Sequence, residues 1–291
     1  MFTGSIVALV TPMDQQGRLD LPAVRELVTL HLKSGTSALV VAGTTGESPT
    51  LEGSEFQALL SAVCEQVAGA VPVVAGTGSA NTVKSVEMTR RAADLGADGV
   101  LVVTPYYNRP TQSGLIAHFS AVADAAPVPV LMYNVPARTG VDMQAETTVA
   151  LAQHPRIAGV KEALPNLERI ENLLGSCPED FCVLSGDDGT CAQAMLLGAA
   201  GVVSVAANVD PVRMSALCRA ALAGDRQTTE RVDGELRELF GLLGIEPNPI
   251  PVKWALRELG LIEDGIRLPL QVLDERHRGP FRACLKNLQL V

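Results

Sequence analysis

The chain has 291 residues, of which 47% are hydrophobic and 19% charged, so it can bury a large core and does not have the composition of a disordered protein. Its 32 acidic residues outnumber the 23 basic ones, which gives a formal net charge of −9 and disfavours binding to nucleic acid or to an anionic membrane. The length suits two ordinary domains or a single α/β barrel.

The cysteines and histidines do not predict a metal site. The six cysteines form no C-x-x-C pair, and the four histidines are widely scattered. Because the chain is long and carries no recognisable secretion signal, we expect free thiols and a cytoplasmic location. Residues 189–209 are uncharged over the length of a membrane span. Gln193, Gly198 and Asn208 interrupt that stretch, so we expect a buried helix, a turn and a buried strand in a soluble protein.

Short apolar runs recur along the chain, and each ends in small or polar residues. They lie at residues 6–10, 38–42, 72–75, 99–103, 130–133, 157–160, 181–184 and 202–206. Most are continuously apolar, which is typical of parallel strands covered on both faces. Segments with helical spacing separate them, for example at residues 21–32, 55–67 and 83–95. Eight regular strand–helix units predict an α/β fold of the (β/α)8 TIM-barrel type rather than a doubly wound sheet.

Helices alone are predicted after the eighth strand. Asp210 and Pro211 supply the cap and first turn of a helix that ends at Gly224. Further helical patterns lie near residues 229–243, 252–259 and 274–288, and the proline-rich segment 246–251 predicts a rigid turn between them. We therefore divide the chain into a barrel catalytic domain, residues 1–224, and a C-terminal helical domain, residues 225–291.

Lys161 is the leading candidate for chemistry, because barrel enzymes place reacting groups where the strands end. It follows the sixth apolar run and is one of only five lysines. A desolvated amine at the barrel mouth can attack a carbonyl carbon, and Tyr133, at the end of the neighbouring strand, can move protons while water leaves. The alternative is a strand-end lysine that points to solvent.

Other strand ends carry groups that suit a small acid. The turn Gly43-Thr-Thr-Gly-Glu-Ser48 offers hydroxyls and backbone N–H groups that can hold a carboxylate, although it also fits an ordinary turn. Arg138 suits bidentate carboxylate binding, and the alternative is a surface charge. Asp187 and Asp188 lie where a phosphate would bind in many barrels, so they argue against phosphate and predict caps of the following helix.

Five motifs occur in chain order at these strand ends: Gly43-Thr-Thr-Gly-Glu-Ser48, Val103-Thr-Pro-Tyr-Tyr-Asn108, Tyr133-Asn-Val-Pro-Ala-Arg-Thr-Gly140, Gly159-Val-Lys-Glu-Ala163 and Ser185-Gly-Asp-Asp188. Together they resemble the dihydrodipicolinate synthase family, the 4-hydroxy-tetrahydrodipicolinate synthases of the pyruvate-dependent class I aldolase/lyase superfamily. The resemblance runs from Phe2 into the C-terminal helices.

The resemblance implies a lyase of lysine and diaminopimelate biosynthesis. Pyruvate would form an imine with Lys161, and the derived enamine would attack the aldehyde of L-aspartate-4-semialdehyde before the product cyclises. Tyr133 would carry the proton through Thr44 to Tyr107 of a neighbouring subunit. Further roles are implied for Thr45, which would hold the pyruvate carboxylate with backbone amides, for Arg138, which would bind the semialdehyde carboxylate, and for Val203, whose main-chain carbonyl would lie near the site. No metal or cofactor is implied, and the assembly would be a homotetramer made of two dimers.

Two alternatives stay open. N-acetylneuraminate lyases and keto-deoxy-sugar aldolases share the lysine and the tyrosine, but are not expected to carry both the Thr44-Thr45 pair and Arg138. A non-catalytic barrel that only binds a keto acid is the second alternative.

The resemblance also shows a departure from the family pattern. Many members are inhibited by L-lysine at positions that correspond here to Ser48, Pro49, Gly53, Phe56, Ala80, Lys84 and Tyr106. In sensitive members a glutamate stands at the position of Lys84, and histidines stand at those of Gly53 and Phe56. We therefore predict that this chain is insensitive to millimolar L-lysine, unless Glu52 or Glu55 restores an anionic contact.

Overall fold

The computed structural model describes residues 2–291, which form an eight-stranded parallel barrel surrounded by helices. The strands are β1 Gly4–Ala8, β2 Ala38–Val41, β3 Val73–Gly76, β4 Gly99–Val103, β5 Val130–Asn134, β6 Ile157–Glu162, β7 Cys182–Ser185 and β8 Gly201–Ser204. Each strand pairs with the next, and β8 closes on β1. The predicted (β/α)8 barrel is confirmed.

The helices within this part of the chain follow the predicted order. They are α1 Leu21–Lys33, α2 Gly53–Val67, α3 Thr82–Asp94, α4 Gln112–Ala125, α5 Pro136–Thr139, α6 Ala145–Leu151, α7 Leu167–Ser176, α8 Cys191–Leu196, α9 Pro211–Leu222, α10 Arg226–Leu243, α11 Ile250–Glu258 and α12 Glu275–Asn287. None of those described between residues 2 and 291 is long and apolar enough to cross a membrane. Helix α9 begins as predicted, since Asp210 Oδ1 accepts a hydrogen bond from Arg213 N at 3.0 Å.

Two apolar layers explain the continuously apolar strands. In β5, Leu131 and Tyr133 belong to the cluster inside the barrel, whereas Val130 and Met132 belong to the layer between barrel and helices. Because side chains alternate along a strand, both faces must be apolar. Burial of each such large side chain contributes about 1.5–3 kcal/mol to folding.

The C-terminal helices pack on the barrel. Val232 of α10, Trp254 of α11 and Phe281 of α12 are buried in the same layer that covers the barrel strands. The three helices lie where the sequence predicts them, while the division into separate domains at residue 224 stays a prediction.

The end of the eighth strand differs from expectation. Residues 202–206 were predicted as one strand, but β8 ends at Ser204 and a 3₁₀ turn follows at Ala206–Asn208. Asp188 causes the change, since its Oδ2 accepts hydrogen bonds from Val205 N at 3.0 Å and Ala206 N at 2.9 Å. The apolar run could not reveal an acceptor that lies in another loop.

Candidate active site

The structure brings Lys161 and Tyr133 together at the mouth of the barrel. They are register partners on the adjacent strands β6 and β5, and both side chains are buried. Lys161 Nζ lies 4.3 Å from the centroid of the Tyr133 ring. The predicted nucleophile and proton carrier therefore lie side by side, and Lys161 does not point to bulk solvent.

Lys161 is held by packing rather than by acceptors. Among residues 2–291 its Nζ makes no hydrogen bond and no ion pair, and its neighbour is the Tyr133 ring. Gly186, after β7, makes room for the side chain, because a Cβ at that position would lie 2.9 Å from Lys161 Cε and 2.8 Å from Ala163 Cβ. The amine is thus free to react with a substrate at the mouth.

The turn after β2 forms one wall of the mouth. Backbone hydrogen bonds close it, from Glu47 N to Thr44 O at 3.1 Å and from Ser48 N to Gly43 O at 3.2 Å. Thr44 is half-buried and lines a groove of about 410 Å³. Thr45 is buried, and its Oγ1 accepts a hydrogen bond from Asn248 Nδ2 at 2.9 Å.

Arg138 lines the same groove as Thr44. It lies on the short helix α5 directly after β5, and its side chain is exposed. Its Nη2 donates a hydrogen bond to Asn248 O at 3.2 Å. Asn248 thus touches both Thr45 and Arg138, although it comes from the C-terminal segment. The proline-rich sequence predicts a turn there, but no local signal indicates which loops the turn contacts.

Val203 and Tyr107 lie in contrasting places. Val203 is buried inside the barrel on β8, where it pairs with Ile6 of β1. Tyr107 is 92% exposed and has a positive φ of 70°, a left-handed conformation that is uncommon for a bulky residue. Its backbone N donates to Thr139 O at 3.3 Å, and its ring does not line the groove of its own chain.

A buried ion pair fastens the C-terminal segment to the turn after β2. Lys253 of α11 donates to Glu47 and, at 3.0 Å, to Thr11 O, and both charged side chains are buried. Burial lowers the pKa of Lys253, against the opposing effect of Glu47. Arg267 N donates to the second oxygen of Glu47 at 3.1 Å. Sequence reasoning did not predict this contact, because its partners are about two hundred residues apart.

The two aspartates after β7 have different roles. Asp187 was predicted to cap α8, but the N-cap of that helix is Thr190; Asp187 Oδ2 instead closes the preceding turn by accepting hydrogen bonds from Thr190 N at 2.9 Å and Thr190 Oγ1 at 2.7 Å. The expectation for Asp188 was wrong, since it caps the 3₁₀ turn after β8 instead. Burial raises the pKa of Asp188.

A lysine buried beside a phenol, at the carboxyl ends of eight parallel strands, is typical of a barrel enzyme that forms Schiff bases. The family model for the dihydrodipicolinate synthetase family matches residues 1–288, and the chain belongs to that family. The 4-hydroxy-tetrahydrodipicolinate synthase of Methylococcus capsulatus is 51% identical over 286 residues, covering 98% of each chain. That of Pseudomonas syringae pv. syringae is 52% identical with the same coverage.

Solved structures agree with this assignment. The chloride-inhibited dihydrodipicolinate synthase from Acinetobacter baumannii, solved with pyruvate, is 44% identical, has a TM-score of 0.99 and is covered completely in both chains. A protein described as the first monomeric dihydrodipicolinate synthase variant is 40% identical with a TM-score of 0.98, covering 100% of this chain and 98% of the other. The TIM-barrel fold and the family resemblance predicted from the sequence are both confirmed.

Proposed function

We propose that this enzyme condenses pyruvate with L-aspartate-4-semialdehyde through an imine on Lys161, in the lysine and diaminopimelate pathway. The observation that carries the proposal is the position of Lys161: its side chain is buried, its Nζ has no acceptor within residues 2–291, and that atom lies 4.3 Å from the Tyr133 ring centroid. The full-length similarity to 4-hydroxy-tetrahydrodipicolinate synthases supports the choice of substrates and disfavours the sugar-acid aldolases.

The chemistry follows from these two side chains. The amine of Lys161 attacks the keto carbon of pyruvate, and loss of water from the carbinolamine gives the imine. Tyr133 delivers the proton that the departing hydroxyl needs and takes one from the methyl group as the enamine forms. The enamine carbon then attacks the aldehyde carbon of the second substrate. Attack of that substrate's amine on the imine closes the ring and frees Lys161.

Separate groups hold the two carboxylates in this proposal. Thr45 and the backbone amides of its turn receive the carboxylate of pyruvate, while Thr44 links Tyr133 to the next proton carrier. Arg138, exposed on the groove wall, receives the carboxylate of the semialdehyde. Val203 contributes a main-chain carbonyl beside the reacting carbon. None of these steps needs a metal or an organic cofactor.

Tyr107 requires a partner subunit in this mechanism. It is almost fully exposed and held in a left-handed conformation, which suits a side chain that enters a neighbour's site. The assembly is a homotetramer of two such dimers, and its six free thiols suit the reducing cytoplasm. Sedimentation tests the shared site: a fully active monomer would exclude the cross-subunit role of Tyr107.

The decisive assay follows the disappearance of L-aspartate-4-semialdehyde. Consumption is expected with pyruvate and is expected to stop when pyruvate is omitted. A parallel assay with N-acetylneuraminate is expected to release no pyruvate. Activity with the sugar acid and none with the semialdehyde would overturn the proposal. Reduction by borohydride in the presence of pyruvate separates an imine-forming enzyme from a barrel that only binds keto acids, since only the former gains a covalent adduct.

A further inference from the structure

Behind the reacting pair lies a second pair of polar side chains. Side chains alternate along strands, so Lys161 and Tyr133 face the barrel interior while the next residues, Glu162 and Asn134, face outward. Val160, two positions before Glu162, belongs to the outer apolar layer, which confirms this direction. Glu162 and Asn134 are also register partners, one step beyond the pair formed by Lys161 and Tyr133.

Hydrogen bonds join the outward pair across the two strands. Asn134 Nδ2 donates to Glu162 Oε1 at 3.2 Å and to Oε2 at 3.0 Å, and we call these contacts the clasp. Both side chains are almost completely buried. Leu164 N donates to Glu162 Oε1 at 2.9 Å, and Met143 N donates to Asn134 Oδ1 at 3.0 Å. The clasp therefore fixes both strand ends and the loops that leave them.

The clasp continues into charged groups on two further elements. Asn134 Nδ2 also donates to Asp142 Oδ1 at 2.8 Å, and Arg169 of α7 pairs with both Asp142 oxygens at 2.7 and 3.0 Å. Arg169 Nη1 lies 3.6 Å from Glu162 Oε2. Burial raises the pKa of Glu162, which shows how unfavourable this apolar layer is for a carboxylate. A buried polar network whose members are all hydrogen-bonded makes the surrounding structure rigid.

We propose that Glu162 and Asn134 are positioning residues for imine formation, which set the spacing of Lys161 and Tyr133 by clasping the ends of β6 and β5. This assignment rests on the proposed Schiff-base function. The reacting atoms must approach to about 3–3.5 Å with correct alignment, and a misplacement of about 1 Å can cost about 10²-fold in rate. Within the described residues 2–291, no acceptor holds the amine of Lys161, so its position depends on its backbone and on packing. The clasp fixes that backbone.

The test measures formation of the pyruvate imine in a single turnover, trapped with borohydride and quantified by mass, in the full-length oligomer. Glu162→Leu, which removes every hydrogen bond of the carboxylate, is expected to slow imine formation by about 10–100-fold. The pyruvate concentration for half-maximal rate is expected to stay within about threefold, since the carboxylate of pyruvate binds at the turn after β2. Glu162→Gln keeps one acceptor oxygen and is expected to restore most of the rate.

Two further variants test whether the clasp acts as one unit. The double variant Glu162→Leu with Asn134→Leu is expected to be no slower than the slower single variant, because contacting residues that act together are not additive. Asn134→Ser shortens the other side chain of the clasp and is also expected to slow imine formation. It replaces Glu162→Leu in the test if leucine at position 162 prevents folding.

Asp233→Leu is the matched control. Asp233 is also buried and pairs with an arginine, Arg237, but it lies on α10 rather than on β5 or β6. It is expected to lower stability without changing the imine rate. Parental imine rates in folded Glu162→Leu and Asn134→Ser would overturn the proposal. The proposal would also be overturned if, in Glu162→Leu, the imine rate and the pyruvate concentration for half-maximal rate changed by the same factor, and Asp233→Leu showed the same change. If the unaltered chain itself forms no adduct, the Schiff-base function is refuted instead, and the assignment falls with it.

Discussion

Two lysines of this chain are equally buried but differ in the partners of their amines. Lys161 is 6% exposed and Lys253 is 5% exposed. Lys253 donates to Glu47 and to Thr11 O, whereas Lys161 Nζ makes no hydrogen bond or ion pair within residues 2–291 and lies beside the Tyr133 ring. Both lie near the mouth of the barrel, so neither burial nor location separates them.

The difference teaches that acceptors, rather than burial, determine what a buried lysine does. A lysine whose partners are a carboxylate and a carbonyl forms a structural ion pair, and the carboxylate opposes the lowering of its pKa by burial. An amine that lacks such partners is not held by an acceptor and can approach a carbonyl carbon beside a nearby proton carrier. The two sites therefore give separate, testable expectations.

The largest expected effect is on activity at Lys161. Borohydride with pyruvate is expected to place a reduced three-carbon adduct on Lys161 and not on Lys253, as mapped by peptide mass spectrometry. Lys161→Arg is expected to lose activity by about 10³-fold or more, equivalent to about 4 kcal/mol of barrier, because a guanidinium stays protonated. An adduct on Lys253 or Lys84 would show the comparison to be wrong.

Lys253 is expected to affect stability instead. Lys253→Met leaves Glu47 buried without its cation, and the expected loss is about 3–5 kcal/mol in the free energy of unfolding, measured with urea. Adding Glu47→Gln to Lys253→Met removes the unpaired buried charge and is expected to recover part of the lost free energy of unfolding. A change of stability within about 0.5 kcal/mol, the range of an ordinary surface substitution, would contradict the structural role.

A smaller effect is expected at Arg138, a cation that is exposed rather than buried. Arg138→Ala is expected to lower kcat/KM for the semialdehyde. The expected loss of transition-state stabilisation is about 1.5–3 kcal/mol, the scale of a charged hydrogen bond. Trapping of the pyruvate imine is expected to stay at the parental level. If both half-reactions fell equally, Arg138 would instead be structural, through its contact with Asn248 O.

The smallest expected effect is the response to L-lysine. Ser48, Gly53, Phe56, Lys84 and Tyr106 line one groove, so a cationic ligand there meets the ammonium of Lys84. Glu55 is already paired with Arg267, which leaves it poorly placed to restore an anionic contact. One unit-charge contact at about 4 Å is worth about 1–4 kcal/mol. The predicted insensitivity is tested by adding L-lysine to an assay at low pyruvate. Half-inhibition below about 1 mM L-lysine, which corresponds to a binding free energy of about −4 kcal/mol, would contradict it.

The sequence predicts the barrel well because its information is local and repeated. Continuous apolar runs identify the strands, and Asp210 with Pro211 identifies the start of α9. Lys161 and Tyr133 follow from the rule that strand ends carry chemistry. Within one chain the structure confirms that these two residues lie together, while the remaining site roles stay predictions.

What the sequence does not predict depends on contacts between distant loops. The end of β8 is set by Asp188, which lies in the loop after β7. Asn248 reaches Thr45 across about two hundred residues, and the partner of Lys253 is equally remote. Glu162 and Asn134 stand directly beside the reacting pair in two motifs, but only the barrel's register shows that they meet. Apolar periodicity carries no information on such polar pairs.

The exposed Tyr107 has a genetic consequence under the shared-site proposal. A chain with Lys161→Ala and a chain with Tyr107→Phe are each inactive as homo-oligomers, yet a mixed dimer holds one site with both side chains intact. Random pairing of equal amounts restores about one site in four. Two defective alleles expressed in one cell are therefore expected to complement each other. The activity seen from a partially defective allele is likewise expected to depend on the partner chain with which its product assembles.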